Sequence, residues 1–155
     1  MADNSIRIAI IGARDASEKG LKFAYEVGRL LAEKNVVVYT GGADGIMEAA
    51  SRGVKEAGGI NVGILKSSDL EMANDSVTIP VMTGMGDLRN GVIIRSVQGS
   101  IAVEGSYGTL SEIAYTLSYG KPVVGYNTWD IKGLVPVDTP EEAVKRILEL
   151  INEDD

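Results

Sequence analysis

Short runs of β-branched and other apolar residues alternate with longer stretches of helical periodicity along the whole chain, and few folds accommodate that alternation. It is the pattern of parallel βαβ units. Strands are expected at residues 6–11, 36–40, 60–65, 77–82, 100–104 and 122–126, with a short last one at 134–137. Pro80 cannot donate to a ladder, so the fourth run is a strand end or an edge. Helices are expected at 20–34, 44–57, 87–97 and 109–119; in the first, Leu21, Ala24, Val27, Leu30 and Leu31 share one face. A polar loop covers 66–76, and Gly58-Gly59 stops the second helix. The last helix has a written start: Thr139 as N-cap, Pro140 at the first position and Glu142 completing a capping box. The acidic end, residues 153–155, is expected to fray.

The 155 residues suit one domain, 1–155, and 45% hydrophobic content suffices for a core. There is no cysteine, which excludes disulfides and thiolate metal sites. There is also no histidine, which removes the commonest general base, the usual metal ligand and the Ser-His-Asp triad. No metal site is expected. Chemistry falls to carboxylates, arginine, lysine, hydroxyls and backbone amides. A net charge of -7 argues against a nucleic-acid partner, though it leaves room for a local basic patch. No apolar run is long enough for a bilayer, and the first five residues lack a signal-peptide profile, so a cytoplasmic protein without a membrane partner is expected.

The glycines fall where strands hand over to helices: Gly12 after the first strand, Gly41, Gly42 and Gly45 after the second, Gly105 and Gly108 after the fifth. Helix N-termini at that edge of an open α/β sheet present free amides and partial positive charge, and ligands bind there. The loop Gly41-Gly42-Ala43-Asp44-Gly45 reads as a phosphate or ribose cradle, or equally as a tight turn with Asp44 as N-cap. It is not G-x-G-x-x-G, and no Walker lysine follows any glycine loop. Gly105-Ser106-Tyr107-Gly108-Thr109 is a sharper candidate, with Glu112 one turn further on; Thr109-x-x-Glu112 also reads as a capping box. Arg89 leads a stripe continued by Ile93 and Val97, which suits either capture of a phosphate at the rim of a buried face or a surface ion pair. Met82 and Met85 read as packing residues.

These elements in this order resemble the Lonely Guy superfamily: Gly41-Gly42-x-x-Gly45-Ile46-Met47 with Gly53 and Ala57-Gly58-Gly59, then residues 85–89, then 105–112. The superfamily includes cytokinin-activating phosphoribohydrolases, proteins labelled "possible lysine decarboxylase", and molybdenum cofactor carrier proteins. The short carrier-like branch is the nearest match. The resemblance implies an α/β fold of Rossmann type, three-layer α/β/α with a mostly parallel sheet, and a homodimer. It implies that Arg89 and Glu112 are the catalytic pair in the hydrolases, and that Gly105, Gly108 and Thr109 hold a 5′-phosphate. Cleavage of an N-glycosidic bond would use the carboxylate to stabilise an oxocarbenium-like transition state or to position water.

Three residues depart from the hydrolase pattern Pro-Gly-Gly-x-Gly-Thr-x-x-Glu and its Arg-Lys pair. Glu104 stands for the proline, Ser106 for a glycine, and Asn90 for the lysine. Each makes a nucleotide phosphate less welcome. The expectation is a protein that binds a phosphorylated small molecule, a nucleotide or a molybdopterin-type pterin, with no cofactor required. A nucleoside 5′-monophosphate phosphoribohydrolase and a structural dimer with a vestigial pocket are the alternatives. Pyridoxal-phosphate-dependent lysine decarboxylation is not expected, since no Schiff-base lysine motif is present. The expected site is Arg89 and Glu112 for chemistry, and Gly12, Gly41, Gly42, Asp44, Gly45, Gly105, Ser106, Tyr107, Gly108 and Thr109 for binding.

Overall fold

The computed structural model describes residues 4–153; Asp154 and Asp155 of the expected frayed tail lie outside them. Seven strands form one sheet: β1 (Arg7–Gly12), β2 (Val37–Thr40), β3 (Asn61–Leu65), β4 (Ile79–Met82), β5 (Gly99–Val103), β6 (Val123–Tyr126) and β7 (Val135–Pro136). Their order is β4-β3-β2-β1-β5-β6-β7, and every neighbouring pair is parallel. The chain builds outward from β1 to β4, then returns to β1's other side to lay down β5. The strand order therefore reverses between β1 and β5, and a crevice opens beyond their carboxyl ends. Pro80 sits in β4, the edge strand, as the missing N–H requires.

Helices α1 (Glu18–Glu33), α2 (Ile46–Glu56) and α5 (Pro140–Glu153) cover one face; α3 (Arg89–Arg95) and α4 (Tyr107–Ser118) cover the other. Alternation along β1 feeds both layers. Ile8 and Ile10 pack under α1, α2 and α5, while Ala9 and Ile11 pack with Ile93, Ile94 and Ile113 of α3 and α4. The crossing of α1 and α2 is close because both helices carry glycine there. A Cβ on Gly28 would lie 2.3 Å from the Ala50 carbonyl oxygen of α2, and one on Gly53 would lie 2.1 Å from that of Tyr25.

Several helix starts differ from the sequence reading. α2 begins at Ile46 with Gly45 as N-cap, so Asp44 is an exposed loop residue and not a cap. The expected helix 87–97 divides into a 3-10 turn, Gly86–Leu88, followed by α3. α4 begins at Tyr107, with Ser106 as N-cap and no side-chain cap bond. Thr109 is thus inside the helix, and the Thr109/Glu112 capping box does not form. Met82 and Met85 are exposed rather than packed. The α5 start is as written: the Glu142 N–H donates to Thr139 Oγ1 at 3.1 Å, and the Glu142 carboxylate reaches back to the Asp138 N–H at 2.9 Å.

Candidate functional site

A cleft of about 580 Å³ occupies the crevice at the strand-order reversal. Gly12 from the end of β1, Gly105, Ser106, Gly108 and Thr109 from the β5–α4 turn, and Arg89 and Glu112 from α3 and α4 all line it. The structure therefore brings together seven of the twelve residues singled out from sequence. It also adds Arg14, Ser17, Lys66, Asn90 and Asn127.

The turn after β5 is shaped for close approach. Gly105 has φ +113°, and a Cβ there would lie 2.4 Å from Thr109 Oγ1. Only glycine lets the chain fold back over the first turn of α4. The N–H groups of Tyr107, Gly108 and Thr109 are the first of the helix and have no intrahelical acceptor. They supply donors and the positive end of the helix dipole to the mouth of the cleft. The Trp129 indole N–H donates to the Ser106 carbonyl at 3.0 Å and fixes the turn from outside. Tyr107 is exposed and leans on Trp129 outside the cleft, with ring centroids 6.0 Å apart.

Arg89 and Glu112 are only 5% and 7% exposed. The Arg89 guanidinium donates through Nη1 to Asn90 Oδ1. Asn90 Nδ2 donates to Ser111 Oγ at 3.0 Å, and Ser111 Oγ to the Gly108 carbonyl at 2.7 Å. This chain of donors ties α3 to the first turn of α4 and holds the guanidinium in place. Arg89 lines the cleft, and its Nε is buried with no acceptor among the described residues. Burial draws Arg89 below its ordinary value, while Glu112 and Asp87 act the other way. Burial pushes the Glu112 carboxyl up to about 7, against the opposing pull of Arg89 and Lys66. Near neutral pH this carboxyl can hold a proton or release it.

Glu104 turns away from that task. Its carboxylate accepts from the Ser17 N–H at 2.9 Å and from Ser17 Oγ, so its charge sits on the N-terminus of α1. Its backbone φ is +55°, and Thr128 Oγ1 donates to its carbonyl at 2.6 Å. A proline, fixed near φ −65°, has no access to that conformation.

Gly41, Gly42, Asp44 and Gly45 do not line the cleft. The Gly42 N–H donates to Thr40 Oγ1 at 3.0 Å, Asn74 binds the Gly42 and Ala43 carbonyls at 2.8 Å each, and the Ile46 N–H donates to Ala13 at 2.9 Å. These polar groups of the loop are spent within the protein. Gly41 acts through a neighbour: a Cβ there would lie 2.4 Å from Arg89 Nη2, so its bare backbone makes room for the guanidinium.

A family model, the SLOG cluster4 family, matches residues 5–150. The chain belongs to the SLOG cluster4 family. This SLOG protein is 32% identical to the molybdenum cofactor binding protein of the phototrophic bacterium Rippkaea orientalis, at a TM-score of 0.91 over 97% of this chain and 99% of the other. It is 42% identical over 140 residues to an uncharacterized protein of Archaeoglobus fulgidus, covering 90% of this chain and 92% of the relative. It is 30% identical over 113 residues to a probable cytokinin riboside 5′-monophosphate phosphoribohydrolase of Oryza sativa subsp. japonica, covering 68% of this chain. The SLOG chain spans 46% of that rice relative's length. The resemblance to the Lonely Guy superfamily and the parallel α/β fold both hold.

Proposed function

We propose that the chain binds a small molecule through a terminal phosphate, and that a molybdopterin-type pterin fits the cleft better than a nucleotide. The carrying observation is Arg89: a buried guanidinium with an unsatisfied Nε, beside three free amides at the start of α4. A phosphate in the cleft would accept from the Arg89 guanidinium and from these amides, and charge-assisted bonds of this kind are the strong ones. The amides of residues 107–109 would hold the phosphate with Arg89. The rest of the cleft, whose lining includes Met47, Asn127 and Glu112, would hold the body of the ligand. The likeness to the Rippkaea orientalis protein supports the pterin class.

The hydrolase reading has less behind it. The rice relatives match only part of their length, and Glu104 gives the phosphate turn a backbone that the proline-led motif cannot adopt. Isothermal titration with a phosphorylated pterin, AMP and their dephosphorylated partners tests the proposal. Tighter binding of each phosphorylated member is expected. Equal affinity within both pairs would overturn it, and release of free adenine from AMP would move the reading to a phosphoribohydrolase.

A further inference from the structure

The amino end of the sheet, opposite the cleft, carries a second hollow of about 370 Å³. Arg7, Arg95 and Lys121 converge on it together with Gln98, and no carboxylate among the described residues lines it. Three cations in one hollow, with no ion-pair partner among the described residues, run against the balance of a chain whose net charge is -7.

Two of the three have a structural task that uses part of their capacity. Lys121 Nζ donates to the Ile94 carbonyl at 2.6 Å, and Arg7 Nε donates to the Ser96 carbonyl at 2.9 Å. Both bonds close the carboxyl end of α3, where cations are favoured. The terminal nitrogens of Arg7 and the remaining Lys121 protons have no acceptor among the described residues. Arg95 makes no ion pair there either; its guanidinium lies 4.6 Å over the Tyr119 ring. The five ion pairs of the described residues use none of these three side chains. Burial, and then the fields of Arg95 and Arg7, hold the Lys121 ammonium below the ordinary lysine value. Like charges gathered without a counter-ion are costly, and an anion placed among them removes that cost.

We propose that this hollow is a second anion site, separate from the cleft, that takes a phosphate-class oxyanion through Arg7, Arg95 and Lys121. It stands at the far end of α3 from Arg89. An anion here would compete with the α3 carbonyls for Arg7 and Lys121, and would act on the same short helix that carries the cleft's buried arginine.

Amide shifts in a ¹⁵N-labelled sample, titrated with inorganic phosphate at constant ionic strength, test the site. Saturable shifts are expected at Gln98 and Gly120, following a curve of their own beside any response at Tyr107 and Gly108. Arg95→Gln removes a cation whose side chain makes no hydrogen bond or ion pair among the described residues, so the fold should be retained. It should weaken the Gln98 and Gly120 curve about tenfold, the loss of one charge-assisted contact. No saturable shift, the same shifts with chloride alone, or an unchanged midpoint in Arg95→Gln would each overturn the proposal. So would tighter binding of a short DNA oligonucleotide than of phosphate at these amides. Titration with ribose 5-phosphate separates the two sources of the group. A midpoint like that of phosphate means the site takes the group when attached to a metabolite, and a much weaker one means it takes the free ion.

Discussion

Arg89 and Glu112 line the same cleft as each other's strongest electrostatic neighbours, yet no hydrogen bond or ion pair joins them. Their coupling is therefore through space, across groups that both line the cleft. The expected consequences for stability and binding differ, and each can be measured.

Glu112→Gln should stabilise the protein at alkaline pH. The carboxyl is pushed up to about 7 in the folded chain, from its ordinary value of 4.5. As pH rises through that window the unfolded chain gives up a proton that the folded chain keeps, so stability falls and stays lower above it. Glutamine has no such proton. The variant should melt like wild type near about pH 4 and above it near about pH 8, with a gap on the order of 3 kcal/mol at most. Urea melts across the range check this. A gap that shrinks with rising pH would contradict it.

Arg89→Lys keeps the charge and loses the planar fork together with the Nη1 bond to Asn90. Affinity for a phosphorylated ligand should drop about ten- to a hundred-fold. Affinity for the dephosphorylated partner should change little. Titration calorimetry on both ligands reads the difference, and an equal loss for both would remove Arg89 from the phosphate.

Gly41→Ala should damage binding more than folding. The nearest atoms to the added Cβ belong to two flexible side chains, Arg89 at 2.4 Å and Met47 at 2.7 Å. Arg89 must move, so phosphate affinity should fall several-fold while the melting temperature changes little. Gly28→Ala is the contrast: its Cβ meets backbone at 2.3 Å, so it should lose about 1–3 kcal/mol or more of stability. Paired melts and titrations on the two variants check this.

The homodimer is expected from α4, which keeps Leu110, Tyr115, Leu117 and Tyr119 half-buried and Ala114 exposed even with α3 packed beside it. Light scattering at micromolar concentration should give twice the chain mass. A monomer mass would refute it.

Much of the fold was legible because its signals are local. β-branched runs, glycine stops and the Thr139-Pro140-Glu142 start depend on near neighbours, and so do the strand ends that gather Gly12, residues 105–109 and Glu112. Helix starts were less legible where tertiary structure decides them. Thr109 looked like a cap because hydroxyl and carboxylate stood three apart. Gly105 folding back at φ +113° instead lets α4 begin two residues earlier. Arg14 and Lys66 were missed although each stands just past a strand, at β1 and β3, where the rule for open sheets already points. The roles of Gly41 and Asn90 depend on a contact with Arg89 across the chain's folded layers, and nothing in their own neighbourhood announces it.

The positive φ of Glu104 bears on how chains of this kind diverge. A residue at +55° has no single-step exchange with proline, because proline would have to rotate the backbone that seats Gly105 and begins α4. A lineage passing between this turn and a proline-led one needs an intermediate that tolerates both conformations, and glycine is the residue that does so at least cost. A Glu104→Pro substitution should therefore misplace the turn, whereas Glu104→Gly should keep it.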